Sequence, residues 1–569
     1  MKKIRFNLAL FVLALVLLSS CGGLNRMRNN ADDIRYDVTP EVLEAHGSEV
    51  EVTIRGTFPD RYFHRNAILE INPVITWNGG EEALGSITLQ GENVTANHQV
   101  IPRGGGSFTH TDRVPFRDDM RISDLVVRLN AELRGNEAEF DPRKIADGVI
   151  ATSTLVVHDP EAVKVGDKFQ RVVPETIESA IFYVINRANV RQSELRSERM
   201  ENFRQYLRSA VEDDRTEVKA AGINAYASPD GPIDFNERLS EQRKETSDRV
   251  FDSELKRAGI EQRNNFYNTR ALGEDWEGFR KLMEESDIDQ RGLILRVLEM
   301  YQDPEVRERE IRNISAVFTE IADKVLPELR RSEMAIDVER IGYSDQELRE
   351  VYREDPSRLN LEEMLYTATL YDDLNTRYQI YNRTAQRFPD CFRAHNSKGI
   401  VLMKLDNVAA AKSAFQDAQA ISNNDAVRNN LGAVALREGN IEEAEEYFAS
   451  VSTPGDATNY NMGIVAIHQA DYSKASSLFG NMAVVNNALV KMLQDNDDQA
   501  LRILNNIDDP GAKAYYLRAV IGARKQDSNM LFDNLRTAVN MDAELKEYAE
   551  TDMEFGRYFQ DDTFISIVN

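Results

Sequence analysis

Hydrophobic positions along this chain follow three successive rhythms, preceded by one unbroken apolar run from Leu8 to Leu18 behind Lys2, Lys3 and Arg5. That run is about half of what crosses a hydrocarbon core of roughly 30 Å, so it reads as a secretion segment and not as a membrane helix. From Glu49 to His158, short β-branched and aromatic stretches alternate with turn signals: Val50 to Ile54, Ala67 to Ile71, Ile122 to Leu129 and Val149 to Val157. With breaks at Asn78-Gly79-Gly80 and Gly104-Gly105-Gly106, this spacing predicts an all-β sandwich over 49–160. After about Lys164 strands and helices mix. Ile181 to Val184 and Val218 to Ala227 are strand-like, Ser193 to Val211 and Asp234 to Ala258 are amphipathic helices, and Gly259 stops the second. A helical stretch over Asp275 to Leu329 then precedes a last strand at Met334 to Val338, which predicts an α/β layer over 165–345 with a helical insertion about 262–329.

From about Pro356 to the end strand signals vanish and a repeat takes over. Gly399, Ala411, Phe415 and Ala418 are followed at the same offsets by Gly432, Ala444, Phe448 and Val451, then by Gly463, Ala475, Phe479 and Met482. Ala519, Leu531, Leu535 and Ala538 form a weaker copy. A small residue lets a second helix approach closely, and the aromatic residue fills the space between neighbouring pairs. The register resembles the tetratricopeptide repeat (TPR), which implies an all-α solenoid over 356–569 with a surface for a protein partner.

Small residues and one cysteine, Leu18-Ser19-Ser20-Cys21, follow the apolar run directly. This resembles the lipobox of bacterial lipoproteins. The resemblance implies a signal peptide at 1–20, lipidation of Cys21 (palmitate-type acylation), and anchoring in the outer membrane, since Gly22 stands where an inner-membrane protein has Asp. Residues 21–48 are expected to be a lipidated tether, and the domains to face the periplasm.

With 569 residues, 29% of them charged, the chain exceeds a single core and should divide into several domains. Removal of Lys2, Lys3 and Arg5 with the signal takes the formal charge from −26 to −29. So acidic a chain argues against nucleic acid, which calls for clustered Lys and Arg. Once Cys21 is lipidated, Cys391 is the one remaining thiol, so no intramolecular disulfide can form. The seven histidines are scattered, and Cys391 with His395 lacks a second ligand pair, so no metal and no cofactor are expected. The glycine triplet at 104–106 lacks the context of a phosphate loop. There is no Gly-x-Ser-x-Gly elbow and no His-Glu-x-x-His, and a packing role suits Cys391 and His395 better than a nucleophile and its base. A non-enzymatic protein is expected.

Gly222 to Gly231, followed by Asn236, Leu239-Ser240 and Arg243, resembles the OmpA-like domain, in which a strand ends in a glycine-containing turn and the next helix carries Asn-x-x-Leu-Ser-x-x-Arg. Phe182 and Arg330-Arg331-Ser332-Glu333-Met334 extend the resemblance to the first and last strands. The family grips peptidoglycan, pairing a guanidinium with the carboxylate of diaminopimelate and an acid with its ammonium. The resemblance implies a site of Arg243, Asn236, Ser228 and Asp230. Ser228 stands at the acidic position; losing a charged hydrogen bond there weakens the ligand roughly ten- to a hundredfold, unless Asp230 compensates. The same residues are also compatible with a solvated helix face around Arg243, a capping Asn236 and a plain turn at 228–231. Ala227 to Gly231 and Gly273 to Gly278 look like versions found in Bacteroidota envelope lipoproteins, some of them parts of secretion or fimbrial machinery. Two readings follow. One is an outer-membrane scaffold that binds peptidoglycan through the OmpA-like domain and proteins through the TPR solenoid. The other is an adaptor of an assembly complex whose OmpA-like domain no longer binds cell wall.

Overall fold

The computed structural model describes residues 22–261 and 265–569; the expected signal peptide and Cys21 lie outside the described residues. Two compact units emerge among the described residues: 22–166 together with Asp373–Asn569, and Asp167–Asp372 between them in sequence.

The first unit begins with an eleven-stranded sheet, eight strands in one hydrogen-bonded path and three branching from it. Along Glu49–Phe58 the alternation puts Val50, Val52, Ile54 and Phe58 inward, and Ala67–Trp77 and Ser123–Leu133 do the same for Leu69, Ile71, Leu125 and Leu129. Two separate sheets were the expectation. Instead, Val42–His46 pairs in parallel with Arg143–Ile150 and antiparallel with Glu49–Phe58, which stitches the strands into one sheet around one core. The expected tether is structured as well. Residues 22–29 are helical and Arg35–Thr39 is a strand, because Leu24, Met27 and Ile34 are buried in the β core.

The rest of this unit is helical and includes five helix pairs: Phe392–Lys404 with Val408–Ile421, Asp425–Arg437 with Ile441–Ala449, Asp456–His468 with Tyr472–Phe479, Val485–Leu493 with Asp497–Asn505, and Ala512–Arg524 with Ser528–Met541. A Cβ on Gly399, Gly432 or Gly463 would stand 2.5, 2.6 or 2.5 Å from the rings of Phe415, Phe448 and Phe479. The small residue and the aromatic thus share one space, as the offsets predict. The fourth pair follows the same register with Ala488, Ala500, Leu504 and Ile507. It escapes the sequence pattern because Ala488 follows Gly463 by only 25 residues. The helical and β parts share one body: Leu155 and Val156 enter the helical core, Tyr548 Oη donates to the Ala151 carbonyl at 3.0 Å, and the Arg121 guanidinium lies 3.7 Å from the centre of the Tyr548 ring.

The second unit is mixed α/β. Its sheet runs Val172–Phe182, Arg331–Ile341, Thr216–Ala227, Tyr267–Glu274; the first two pairings are antiparallel and the last is parallel. Helices Glu198–Glu212 and Ile233–Ala258 cover it through Met200, Phe203, Phe251 and Leu255, and Gly259 closes the second at φ +80°. The expected insertion at 262–329 therefore contains a strand of the sheet. Only Trp276 to Leu329 leaves the layer, as short helices with their own core of Phe279, Met283, Ile294, Leu298 and Leu326. Helices Asp345–Glu354 and Leu361–Thr369 also belong to this unit, so the stretch 356–372 separates from the repeats that follow. No helix among the described residues is long and apolar enough to cross a membrane.

Candidate functional site

The strand Thr216–Ala227 delivers the chain into the turn at 228–231, and Pro232 caps the helix that carries Asn236 and Arg243. The turn and the helix bring all four expected residues into one cluster. Their polar atoms, however, are engaged by the chain itself. Arg243 is fully buried; its Nε donates to the Arg187 carbonyl at 3.1 Å and its Nη1 to the Tyr226 carbonyl at 2.8 Å, beside the Tyr183 ring. Burial, with the charge of Arg330 nearby, pushes its pKa down to about 10. Asn236 Nδ2 faces the carbonyls of Ser228 and Gly231 at 3.2 and 3.1 Å and Glu274 Oε1 at 2.8 Å.

Ser228 Oγ donates to Asp230 at 2.5 Å. Arg330, which the sequence pattern places only at the edge of the last strand, occupies the other side. Its Nε donates to Ser228 Oγ at 3.2 Å and its Nη2 pairs with Asp230 Oδ2 at 3.1 Å, both partners being largely buried. Arg312 donates to the Asp230 carbonyl. Asp230, the carboxylate of the turn expected to meet a ligand ammonium, is thus already paired with a guanidinium. Glu274, whose carboxyl is raised by burial, is held by Asn236 and by Trp276 Nε1 at 2.9 Å.

A second constellation, missed by the sequence pattern, lies on the helical repeats. Asn430, Asn461 and Asn486 each stand two residues before the small residue of a repeat (Gly432, Gly463 and Ala488), and all three are fully buried. Each amide makes a two-way pair with one residue of the chain's own segment 156–166, here called the strap. Asn486 accepts from Val157 N at 2.8 Å and donates to Val157 O at 2.9 Å. Asn461 does the same to Glu161 at 2.7 and 2.8 Å, and Asn430 to Val163 at 2.6 and 2.9 Å. Asn429 adds a bond to Glu161 O, Asn396 one to Val163 O, and Lys513 one to Val156 O.

The strap thus meets the repeats in reverse order, gripped by its main chain. Tyr460 adds a side-chain contact by donating to Asp159. Buried amides of this kind are costly unless paired, so the ladder requires an extended backbone opposite it. The sequence signal was a recurring Asn at a fixed repeat position; its partner stands some 270 to 330 residues earlier.

Cys391 precedes Phe392–Lys404 half-buried, and His395 Nε2 lies 3.1 Å from the Pro389 carbonyl. Among the described residues, no group of three or more His, Cys, Asp or Glu is placed to hold a metal ion.

The fold and the ladder together define a TPR-like repeat scaffold preceded by a β-rich region and a mixed α/β unit. No protein-family model matches the chain, and no curated protein matches it. Solved structures similar to its helical part include a tetratricopeptide repeat protein from Parabacteroides merdae, 14% identical over 37% of this chain and 91% of that one, with a TM-score of 0.31. Another is YrrB, described as a TPR protein with an unusual peptide-binding site, at 13% identity over 32% and 99% with a TM-score of 0.23. A third is PilF of Pseudomonas aeruginosa, at 15% over 38% and 97% with a TM-score of 0.29. The repeat architecture rests on the Gly–Phe contacts themselves and not on these distant likenesses.

Proposed function

We propose that the protein is a non-enzymatic adaptor of the cell envelope, lipid-anchored through Cys21 in the outer membrane and facing the periplasm, whose TPR scaffold binds protein partners. The OmpA-like pocket of the middle unit has, on this reading, turned from a ligand site into an internal brace. The observation that carries the adaptor role is the repeat scaffold itself, whose asparagine ladder already holds one extended segment, the chain's own strap. Between adaptor and wall tether, the pairing of Asp230 with Arg330 and the burial of Arg243 favour the adaptor. A diaminopimelate stem would have to displace an ion pair and find a free guanidinium edge, and both Nε and Nη1 of Arg243 are committed to carbonyls.

Purified sacculi incubated with the full chain test this directly. The wild type, Arg243→Ala and Ser228→Asp should all stay in the supernatant, the last because Arg330 already neutralises the turn. Retention of wild type and its loss in Arg243→Ala would replace the adaptor by the tether. In the same cells, wild type should fractionate with outer membranes and Cys21→Ala with the soluble periplasm; a soluble wild type would sink the anchor.

A further inference from the structure

Between helices Glu198–Glu212 and Ile233–Ala258, with Gln192 to Arg196 at one end, lies a cleft of about 710 Å³. Arg196, Arg204, Arg208, Arg249 and Arg257 line it, and Glu254 is the one acidic residue of the lining. Leu195, Leu207, Val250 and Ala258 give it apolar wall. The volume is that of a small-molecule site. Five arginines in one cleft are unexpected in a chain whose formal charge is −26.

Most of that charge is not needed to join the two helices. Arg204 forms a fork with Glu254, Nε and Nη2 at 2.9 Å each, and this pair alone staples helix to helix. Arg257 adds a contact to Glu254 at 3.2 Å, and Arg204 and Arg208 share Glu201 at 3.3 and 3.6 Å. Arg249 directs its Nε to the carbonyl of Glu245, and among the described residues neither Arg196 nor Arg249 has an ion pair. Five guanidinium groups therefore face two carboxylates. Mutual repulsion makes such an excess unfavourable for the empty protein, and a multivalent anion relieves it.

On the long helix, Arg249, Ser253 and Arg257 follow one another at four-residue steps. They form a stripe about 12 Å long at 1.5 Å per residue. Guanidinium forks match phosphate oxygens in pairs, and such a stripe suits two neighbouring phosphates better than one.

We propose that this cleft binds an oxyanionic ligand bearing two or more phosphate groups or an equivalent array of them, carried by a soluble molecule or by lipid headgroups at a membrane surface. The site is separate from the turn pocket and from the asparagine ladder, so it stands or falls independently of the adaptor reading.

The test uses the full chain carrying Cys21→Ala in every arm, so that no acyl chain drives flotation. Calorimetry with inorganic pyrophosphate forms one arm. Flotation with phosphatidylcholine vesicles, with and without phosphatidylglycerol, forms the other. Arg196→Gln/Arg249→Gln should weaken whichever binding is seen by about tenfold or more, since charge-assisted bonds are lost. Both residues are exposed, so the fold should persist. Arg238→Gln, an exposed arginine outside the cleft, should leave binding unchanged. Pyrophosphate binding alone assigns a soluble ligand, and flotation only with phosphatidylglycerol assigns headgroups. Absence of both, or equal binding by the double variant, overturns the proposal.

Discussion

Asn461 illustrates what a single buried side chain contributes when its partner is a backbone. It accepts from Glu161 N and donates to Glu161 O and to Asn429 Oδ1, so Asn461→Ala removes three hydrogen bonds and strands one N–H of the strap. Leaving a buried donor unsatisfied costs about 1–3 kcal/mol, and chemical denaturation should show a loss in that range. Limited proteolysis should also cut near Glu161 faster than in wild type; a variant as stable and as resistant as wild type would mean the ladder does not hold the strap. That Ser228, Asp230, Asn236 and Arg243 cluster was legible from spacing alone, because they lie within one strand-turn-helix unit. Arg330 was not, since its role depends on the last strand returning beside the turn about 100 residues later. Nor was the ladder: an asparagine in a helix reads as a surface residue until its distant partner is known.

For the helix pair, Gly432 sets the approach. A glycine inside a helix is ordinarily about 1 kcal/mol worse than alanine, so Gly432→Ala would stabilise an exposed helix. Here the added methyl would lie 2.6 Å from the buried ring of Phe448, and overpacking of that kind costs about 1–3 kcal/mol. A net lowering of the melting temperature is expected, partly restored in Gly432→Ala/Phe448→Leu; an unchanged or raised temperature would refute the close-approach account. This contact could be foreseen because small residue and aromatic recur at a fixed offset. The fourth pair was hidden by its shorter interval, and the edge strand Tyr267–Glu274 by its polar composition, which gives only a weak alternation. Residues 22–48 looked like a linker because their few apolar residues, Leu24, Met27 and Ile34, matter only once the β core exists to receive them.

Over the whole molecule, local patterns named the three structural regions but not their grouping. The β-rich part and the repeats form one unit from two distant stretches of chain, joined by contacts such as Thr152 to Glu554 that no periodicity announces. That junction also carries a titration. His158 of the strap lies 4.8 Å from His468, ring centre to ring centre. Burial, with His158 adjacent, lowers His468 to about 4; burial and the charges of Lys513 and Arg437 also lower His158, against a weaker pull upward from Asp159. In the folded protein both imidazoles therefore resist protonation, whereas the unfolded chain takes up protons below about 6.5. Their contribution is whole above that pH and is lost as pH falls toward 4. Melting temperatures across this window should drop less steeply in His468→Asn than in wild type; parallel slopes would rule the pair out as a cause.

Because the ladder clasps peptide groups, the span from Val157 to Val163 is constrained by its length at least as much as by its spelling. Substitution is tolerated except where a side chain has its own partner, as His158 has in His468 and Asp159 in Tyr460, and except for proline at the clasped sites, since proline has no N–H to offer. A single extra residue, by contrast, would put every later amide out of step with its asparagine, so evolution of this segment should proceed by substitution and hardly ever by insertion.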